Sequence, residues 1–241
     1  TLFRSWSAKI IDASNVDCVL VGDSTSMVMH GYENTTNATI EMLKFHVKAV
    51  RKGTKKLLIA DLPFMHHLKG DSIFYSGVDE LIKAGAQAIK IEGTNNTLNY
   101  VENLTQSGIP VIGHLGLTPQ SINKFGGYKV QGKSEEVSKI ILEQAENLEK
   151  AGCSAIVLEL IPSELAKEIT ENITIPTIGI GAGKYTSGQV LVLQDLLGMS
   201  NEFNPKFLKK FMKGYDIILD ALNTYSSDVK NNFFPSDKES F

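Results

Sequence analysis

The stretch KAGAQAIKIE (83–92) returns as KAGCSAIVLE (150–159), and downstream of each copy IPVIG (109–113) returns as IPTIG (175–179). The two intervals are 67 and 66 residues, so two successive strand–helix units recur as one block. In each copy the end of the stretch is a short apolar run that reads as a strand. Continuous apolar strands alternating with amphipathic helices form a parallel sheet covered on both faces. A repeated two-unit block suits a closed (β/α)8 TIM barrel better than an open doubly wound sheet.

Outward from this block the same alternation continues. Residues 16–22, 57–60, 88–92, 111–113, 155–160 and 177–180 read as strands, and the apolar run 190–193 as the seventh. Residues 7–14 read as the end of a helix. Thr39 caps a helix whose Ile40, Leu43, Val47 and Val50 recur at helical spacing, with Gly53 closing it. Further helices are expected from Asp71, over 98–106, from Ser134 and over 164–171. A last helix is expected from Asn204-Pro205, with Phe207, Phe211, Tyr215, Ile218 and Leu222 inward. A closed barrel has eight strands, and the sequence supplies seven. The first strand is expected before Ser7, where residues 1–6 show it missing or altered. No domain boundary is visible, and 1–241 reads as a single domain.

Composition narrows the function. A chain of 241 residues with 42% hydrophobic content buries one sizeable core. A net charge of -3 and a pI near 6.0 leave no electrostatic footprint for nucleic acid. No apolar run approaches a membrane span, and no signal peptide is visible, so a cytoplasmic protein is expected. Cys18 and Cys153 both sit in apolar, strand-like surroundings and read as inert core thiols.

In a barrel of this type the chemistry sits at the carboxyl ends of several strands. Those ends carry Asp23-Ser24, Asp61, Lys90 with Glu92, His114, and Glu159. Taken singly, each has a plain reading: Asp23 and Asp61 as turn or helix caps, Lys90–Glu92 as a surface ion pair, His114 as a satisfied core histidine. Glu159 between two leucines is harder to dismiss, because a carboxylate is rarely buried unless paired. Jointly the plain readings fail, since four carboxylates, one lysine and one histidine share one end of the sheet. Carboxylates from separate strands repel unless a cation sits among them. Hard oxygen donors without a His/Cys cluster point to Mg²⁺. Such an ion can act as a Lewis acid on a substrate carbonyl while a carboxylate takes an α-proton. The residues therefore describe a Mg²⁺-dependent enzyme acting on a small oxo acid, with the direction of reaction open. The stretch VIGHLGLTPQSINKFGGYKVQG (111–132) adds a long polar loop mounted on a strand end, which reads as working surface rather than linker.

Six stretches carry a family resemblance: VGDS (21–24), ADLPFM (60–65), KAGAQAIKIEG (83–93), GHLGLTPQS (113–121), FGGYKVQG (125–132) and IGIGAG (178–183). Together they resemble the ketopantoate hydroxymethyltransferase family. The resemblance implies a (β/α)8 barrel assembled as a homo-oligomer, a decamer. It implies transfer of a hydroxymethyl group from 5,10-methylenetetrahydrofolate to 3-methyl-2-oxobutanoate, giving 2-dehydropantoate for pantothenate biosynthesis. It implies Asp23, Asp61 and Glu92 around Mg²⁺, with Asp23, Ser24, Asp61, Lys90 and His114 on the oxo acid, and Glu159 as the base that removes the C3 proton. Two departures stand out. Thr25-Ser26 replaces the family's Leu-Gly after Asp-Ser, which is expected to alter backbone freedom there, and residues 1–6 do not match the family's first strand. Two other readings stay open. One is an oxo-acid lyase or mutase of the phosphoenolpyruvate mutase and isocitrate lyase group, although its cysteine-bearing catalytic loop is not found. The other is a barrel that binds oxo acid without catalysis.

Overall fold

The computed structural model describes residues 4–94, 96–121 and 129–241. The chain gathers into two compact units, 1–190 and 191–241. In the first, the elements alternate as α1 (Ser5–Asp12), β1 (Cys18–Val21), α2 (Thr25–His30), α3 (Ile40–Arg51), β2 (Leu57–Asp61), α4 (Asp71–Lys83), β3 (Ala88–Glu92) and α5 (Leu98–Gln106). They continue as β4 (Val111–Gly116), α6 (Glu135–Lys150), β5 (Ala155–Glu159), α7 (Ser163–Asn172), β6 (Thr177–Ile180) and β7 (Gly188–Gln189).

All seven strands pair in parallel with their sequence neighbours, in the order β1 to β7. Among the described residues no pairing joins β7 back to β1. The result is an open, curled, incomplete version of the expected (β/α)8 barrel. The expected first strand falls on residues of which Thr1–Phe3 lie outside the described set.

The repeated sequence block is repeated in three dimensions. Gly85 (φ 115°) and Gly152 (φ 93°) both take the left-handed conformation that ends a helix without a side-chain penalty. In both copies the next amide reaches back to the last turn, Ala86 N to Leu81 O at 3.1 Å and Cys153 N to Leu148 O at 3.0 Å. The same turn thus leads into β3 and β5. The caps expected at Thr39 and Ser134 are present: Thr39 Oγ1 accepts from Met42 N at 3.1 Å, and Ser134 Oγ from Val137 N at 3.4 Å.

Strand periodicity then positions the site. Side chains two residues apart share a sheet face. On one face, Ile59, Ala88, Ile112 and Val157 form an apolar cluster, with Leu20, Ala155, Ile178 and Ile180 packed against it. The next position along the same face holds Asp61 after Ile59, Lys90 after Ala88, His114 after Ile112 and Glu159 after Val157. Polar side chains thus cap an apolar plug at the carboxyl end of the strands, stepping by two residues from β3 to β4 and again from β4 to β5. The opposite face is lined by fully buried Leu58, Ala60, Ile89, Val111, Ile156 and Leu158, which explains why these strands read as apolar throughout.

Several expectations are corrected. The seventh strand is Gly188–Gln189, not 190–193. Thr177 N donates to Ser187 Oγ and Ser187 N to Thr177 Oγ1, both at 3.2 Å, and this exchange sets the β6–β7 register at residues with no strand-like hydrophobicity. The apolar run instead leads into the short helix α8 (Leu193–Leu196) of the second unit. The last helix, α9 (Gly214–Lys230), starts well after Pro205. Its approach is diverted because Phe211 N and Gly214 N bond to the Leu196 and Leu197 carbonyls rather than to helical partners. Phe211, Tyr215, Ile218 and Leu222 are exposed rather than inward, so the apolar stripe of α9 exists but lacks cover within this unit. Cys18, expected in the core, is exposed, while Cys153 is buried; both are free thiols. Among the described residues no helix is long and apolar enough to cross a membrane.

Candidate active site

The strand ends are joined by one chain of polar contacts. Asp23 follows β1, and its backbone N–H donates to Asp61 Oδ2 at 2.9 Å. Asp61 Oδ1 lies 3.1 Å from Lys90 Nζ. Lys90 Nζ is 3.3 Å from Glu92 Oε1 and 3.0 Å from His114 Nδ1. His114 Nδ1 lies 3.1 Å from Glu92 Oε1, and His114 Nε2 is 3.1 Å from Glu159 Oε2. The structure therefore brings together Asp23, Asp61, Lys90, Glu92, His114 and Glu159. Ser24 is beside Asp23 at the entry to α2 and is partly buried.

These contacts dispose of the plain readings. Lys90 and Glu92 cannot be a surface pair, because their side chains are 4% and 5% exposed. The Asp61 carboxylate caps no helix of its own; it accepts from a residue after the neighbouring strand. Glu159 keeps 15% exposure and so reaches towards solvent from within the cluster.

Burial among like charges sets the electrostatics. Burial first, and then repulsion from Glu92 and Asp61, pushes the Asp23 carboxyl well above the usual carboxylate range. Burial also raises Asp61, outweighing the Lys90 ammonium beside it. Burial opposes ionisation of Glu92 too, but Lys90 and then His114 overcome it and hold this carboxyl at about 2. Burial disfavours the charged Lys90, yet Asp61, Glu92 and Asp23 together keep it protonated. For His114, burial and Lys90 oppose a charge, whereas Glu92 and Glu159 on either side of the ring lift it to about 9. The two carboxylates flanking the ring favour its charged form, while the Lys90 ammonium 3.0 Å from Nδ1 opposes it.

Around this cluster the backbone is fastened by residues with less obvious signals. Thr25-Ser26, where a glycine was the expected pattern, forms the first turn of α2 with no left-handed backbone demand. Thr25 Oγ1 donates to Gly22 O at 2.6 Å, and Ser26 Oγ lies 2.9 Å from both Asp23 O and Asn34 O. The departure from the family pattern thus stitches the Asp23 turn rather than loosening it. Part of the long polar loop also serves the site. Gln120, missed in the sequence because an uncharged amide carries no signal there, donates to Asp23 Oδ2 and to Leu62 O, both at 2.9 Å. Residues 122–128 of that loop, and with them the start of FGGYKVQG, lie outside the described residues.

Gly116 ends β4 with φ 92°, and a Cβ there would fall 2.2 Å from Glu159 O and 2.7 Å from Ile161 Cγ2. Gly116→Ala is expected to push the Glu159 backbone off the sheet, breaking the 2.8 Å bond from Leu117 N to Glu159 O. Steady-state assay of the variant should show kcat falling by roughly tenfold or more, the scale of loss that a displacement of about 1 Å can cause. Wild-type kcat in Gly116→Ala would show that this close approach does not govern Glu159.

A divalent cation fits the donor chemistry. Asp61 Oδ1 is buried and, although near Lys90, makes no hydrogen bond of acceptable angle. Asp23, Asp61 and Glu92 offer only hard oxygens, the donor type that small divalent cations select. Among the described residues no three His, Cys, Asp or Glu side chains are drawn to coordination distance; Lys90 stands between the carboxylates as their counter-charge.

Fold and site together describe a parallel α/β barrel-type enzyme whose buried acid–base cluster sits at the carboxyl ends of its strands. Residues 1–237 match the family described as ketopantoate hydroxymethyltransferase. The chain is 51% identical to the 3-methyl-2-oxobutanoate hydroxymethyltransferase of Legionella pneumophila (strain Lens), covering 100% of this chain and 93% of that protein. It is 52% identical to the protein of the same name in Coxiella burnetii (strain Dugway 5J108-111), covering 98% and 89%. In fold it is similar to the phosphoenolpyruvate phosphomutase of Streptomyces platensis subsp. rosaceus, with a TM-score of 0.61 at 11% identity over 95% of this chain and 81% of that one. The chain belongs to the ketopantoate hydroxymethyltransferase family.

Proposed function

We propose that the chain transfers a hydroxymethyl group from 5,10-methylenetetrahydrofolate to 3-methyl-2-oxobutanoate, forming 2-dehydropantoate for pantothenate biosynthesis. The observation that carries this reading is the unbroken run of contacts from Asp23 to Glu159, in a chain half identical to enzymes named for that reaction. Asp23, Asp61 and Glu92 would hold Mg²⁺, which when bound polarises the keto group of the oxo acid. Ser24 and Lys90 hold the oxo acid beside Asp23 and Asp61, with the Lys90 ammonium facing its negative charge. Glu159 takes the C3 proton as general base. His114, with Nε2 3.1 Å from Glu159 Oε2, lines the same pocket and helps bind the oxo acid. The free thiols support a cytoplasmic setting, and the uncovered apolar stripe of α9 supports work as a homo-oligomer, a decamer in this reading.

The test is product formation. With oxo acid, methylenetetrahydrofolate and Mg²⁺, 2-dehydropantoate should accumulate; EDTA should reduce the rate to background, and added Mg²⁺ should restore it. Consumption of oxo acid without folate would favour the lyase reading, and binding without turnover in the folded, Mg²⁺-supplied protein would favour the non-catalytic one.

A further inference from the structure

Gln120 sits in the single 3-10 turn Pro119–Ser121 after β4 and is 8% exposed. Both hydrogen bonds of its side-chain nitrogen are aimed at acceptors: Asp23 Oδ2 at 2.9 Å and Leu62 O at 2.9 Å. Two converging acceptors fix which end of the amide points inward, since only the nitrogen has hydrogens to give. Its backbone N–H donates to Glu92 Oε2 at 3.2 Å. One residue of the β4 loop therefore grips the ends of β1, β2 and β3, and touches two of the three proposed cation ligands. A neutral carboxamide suits this task. A lysine or arginine there would compete with the cation, and a carboxylate would set a third acceptor against Asp23 Oδ2 and Leu62 O.

We infer that Gln120 is a positioning residue of the metal site, orienting the Asp23 and Glu92 carboxylates for the cation without neutralising them. The inference rests on the metal reading proposed above. Outer partners of this kind typically set metal affinity by roughly 10–100-fold.

The experiment is titration of the full-length protein with Mn²⁺ in place of Mg²⁺, following the electron paramagnetic resonance signal of free Mn²⁺, with no substrate present. Gln120→Met keeps the shape and removes the donors. It is expected to weaken Mn²⁺ binding by roughly tenfold or more and to raise the KM for 3-methyl-2-oxobutanoate, while the metal-free protein stays folded at the assay temperature with a melting temperature a few degrees lower, since two buried acceptors lose their donor. Gln120→Asn retains an amide but withdraws it by one methylene, and the same weakening is expected; it decides the matter if the Met variant does not fold. Mn²⁺ binding within about twofold of wild type in a folded variant would overturn the inference. A wild type that binds no Mn²⁺ overturns the metal reading itself, and the role of Gln120 with it, before any variant is compared.

Discussion

Glu159→Gln should abolish exchange of the C3 proton of 3-methyl-2-oxobutanoate in deuterated water and lower kcat for transfer by roughly 10²- to 10⁴-fold, the usual contribution of a positioned general base. The substitution keeps an oxygen for His114 Nε2, which now lies 3.1 Å from Glu159 Oε2, so the geometry of the cluster is little disturbed. What is lost is the capacity to accept a proton. The KM for the oxo acid should therefore change far less than kcat, because the residues proposed to hold it, Asp23, Ser24, Asp61 and Lys90, are untouched. Proton NMR of the substrate, with and without Mg²⁺ and with no folate, separates this half-reaction from transfer. Exchange at the wild-type rate in the variant would remove Glu159 from the role of base.

Lys90→Met should be the most damaging single change to stability. Lys90 Nζ is in contact with Asp61 and Glu92, and its side chain is 4% exposed. Removing one partner of a buried charge cluster typically costs about 3–5 kcal/mol, because the remaining charges lose compensation and stay dry. For a chain of this size that corresponds to a fall in Tm of roughly 10 °C, measurable by thermal denaturation in EDTA. The pH dependence has a defined sign. Asp23 and Asp61 have raised folded-state values, so their contribution to stability is present at low pH and lost as pH rises through those values. Glu92 is lowered to about 2, so its contribution is present above its unfolded value and lost as pH falls towards 2. Taking away Lys90 removes the principal stabiliser of the ionised Glu92 and raises the other two carboxyls further. The deficit should be greatest at pH 7–8 and should shrink as the buffer is taken to pH 4–5, where protonation relieves the repulsion. A Tm within a few degrees of wild type at pH 8 would show that solvent or an ion, not Lys90, compensates the cluster.

Much of this was legible in the sequence because charge is conspicuous inside apolar strands. Lys90, Glu92, His114 and Glu159 each interrupt or terminate such a run, which puts them at one end of the sheet, and a period of two puts Lys90 and Glu92 on the same side of their strand. Asp23 and Asp61 were visible as strand terminators. Gln120 was not, since its partner Asp23 lies 97 residues away and an amide in a polar loop looks like every other loop residue. Gly188–Gln189 was invisible as a strand because its place in the sheet comes from the Ser187–Thr177 exchange rather than from hydrophobicity. The start of α9 was misplaced for a related reason: Pro205 is a sound local signal for a helix start, and the carbonyls of Leu196 and Leu197 override it. Local pattern decided the elements, while hydrogen bonds between distant segments decided their limits.

The duplicated block has a consequence for how the two glutamates came to differ. Glu92 and Glu159 close equivalent strands, and His114 lies between them, Nδ1 towards one and Nε2 towards the other. What separates them is the residue two places upstream on the same face. In the first copy it is Lys90, which locks Glu92 into permanent ionisation; in the second it is Val157, a member of the apolar plug that brings no charge. A single template, written twice, thus yields a committed anion and a carboxylate with no lysine on its own strand. If Glu92 grips a cation and Glu159 moves a proton, as proposed, that division of labour comes down to one side chain in each copy, lysine against valine two places before the strand-end glutamate.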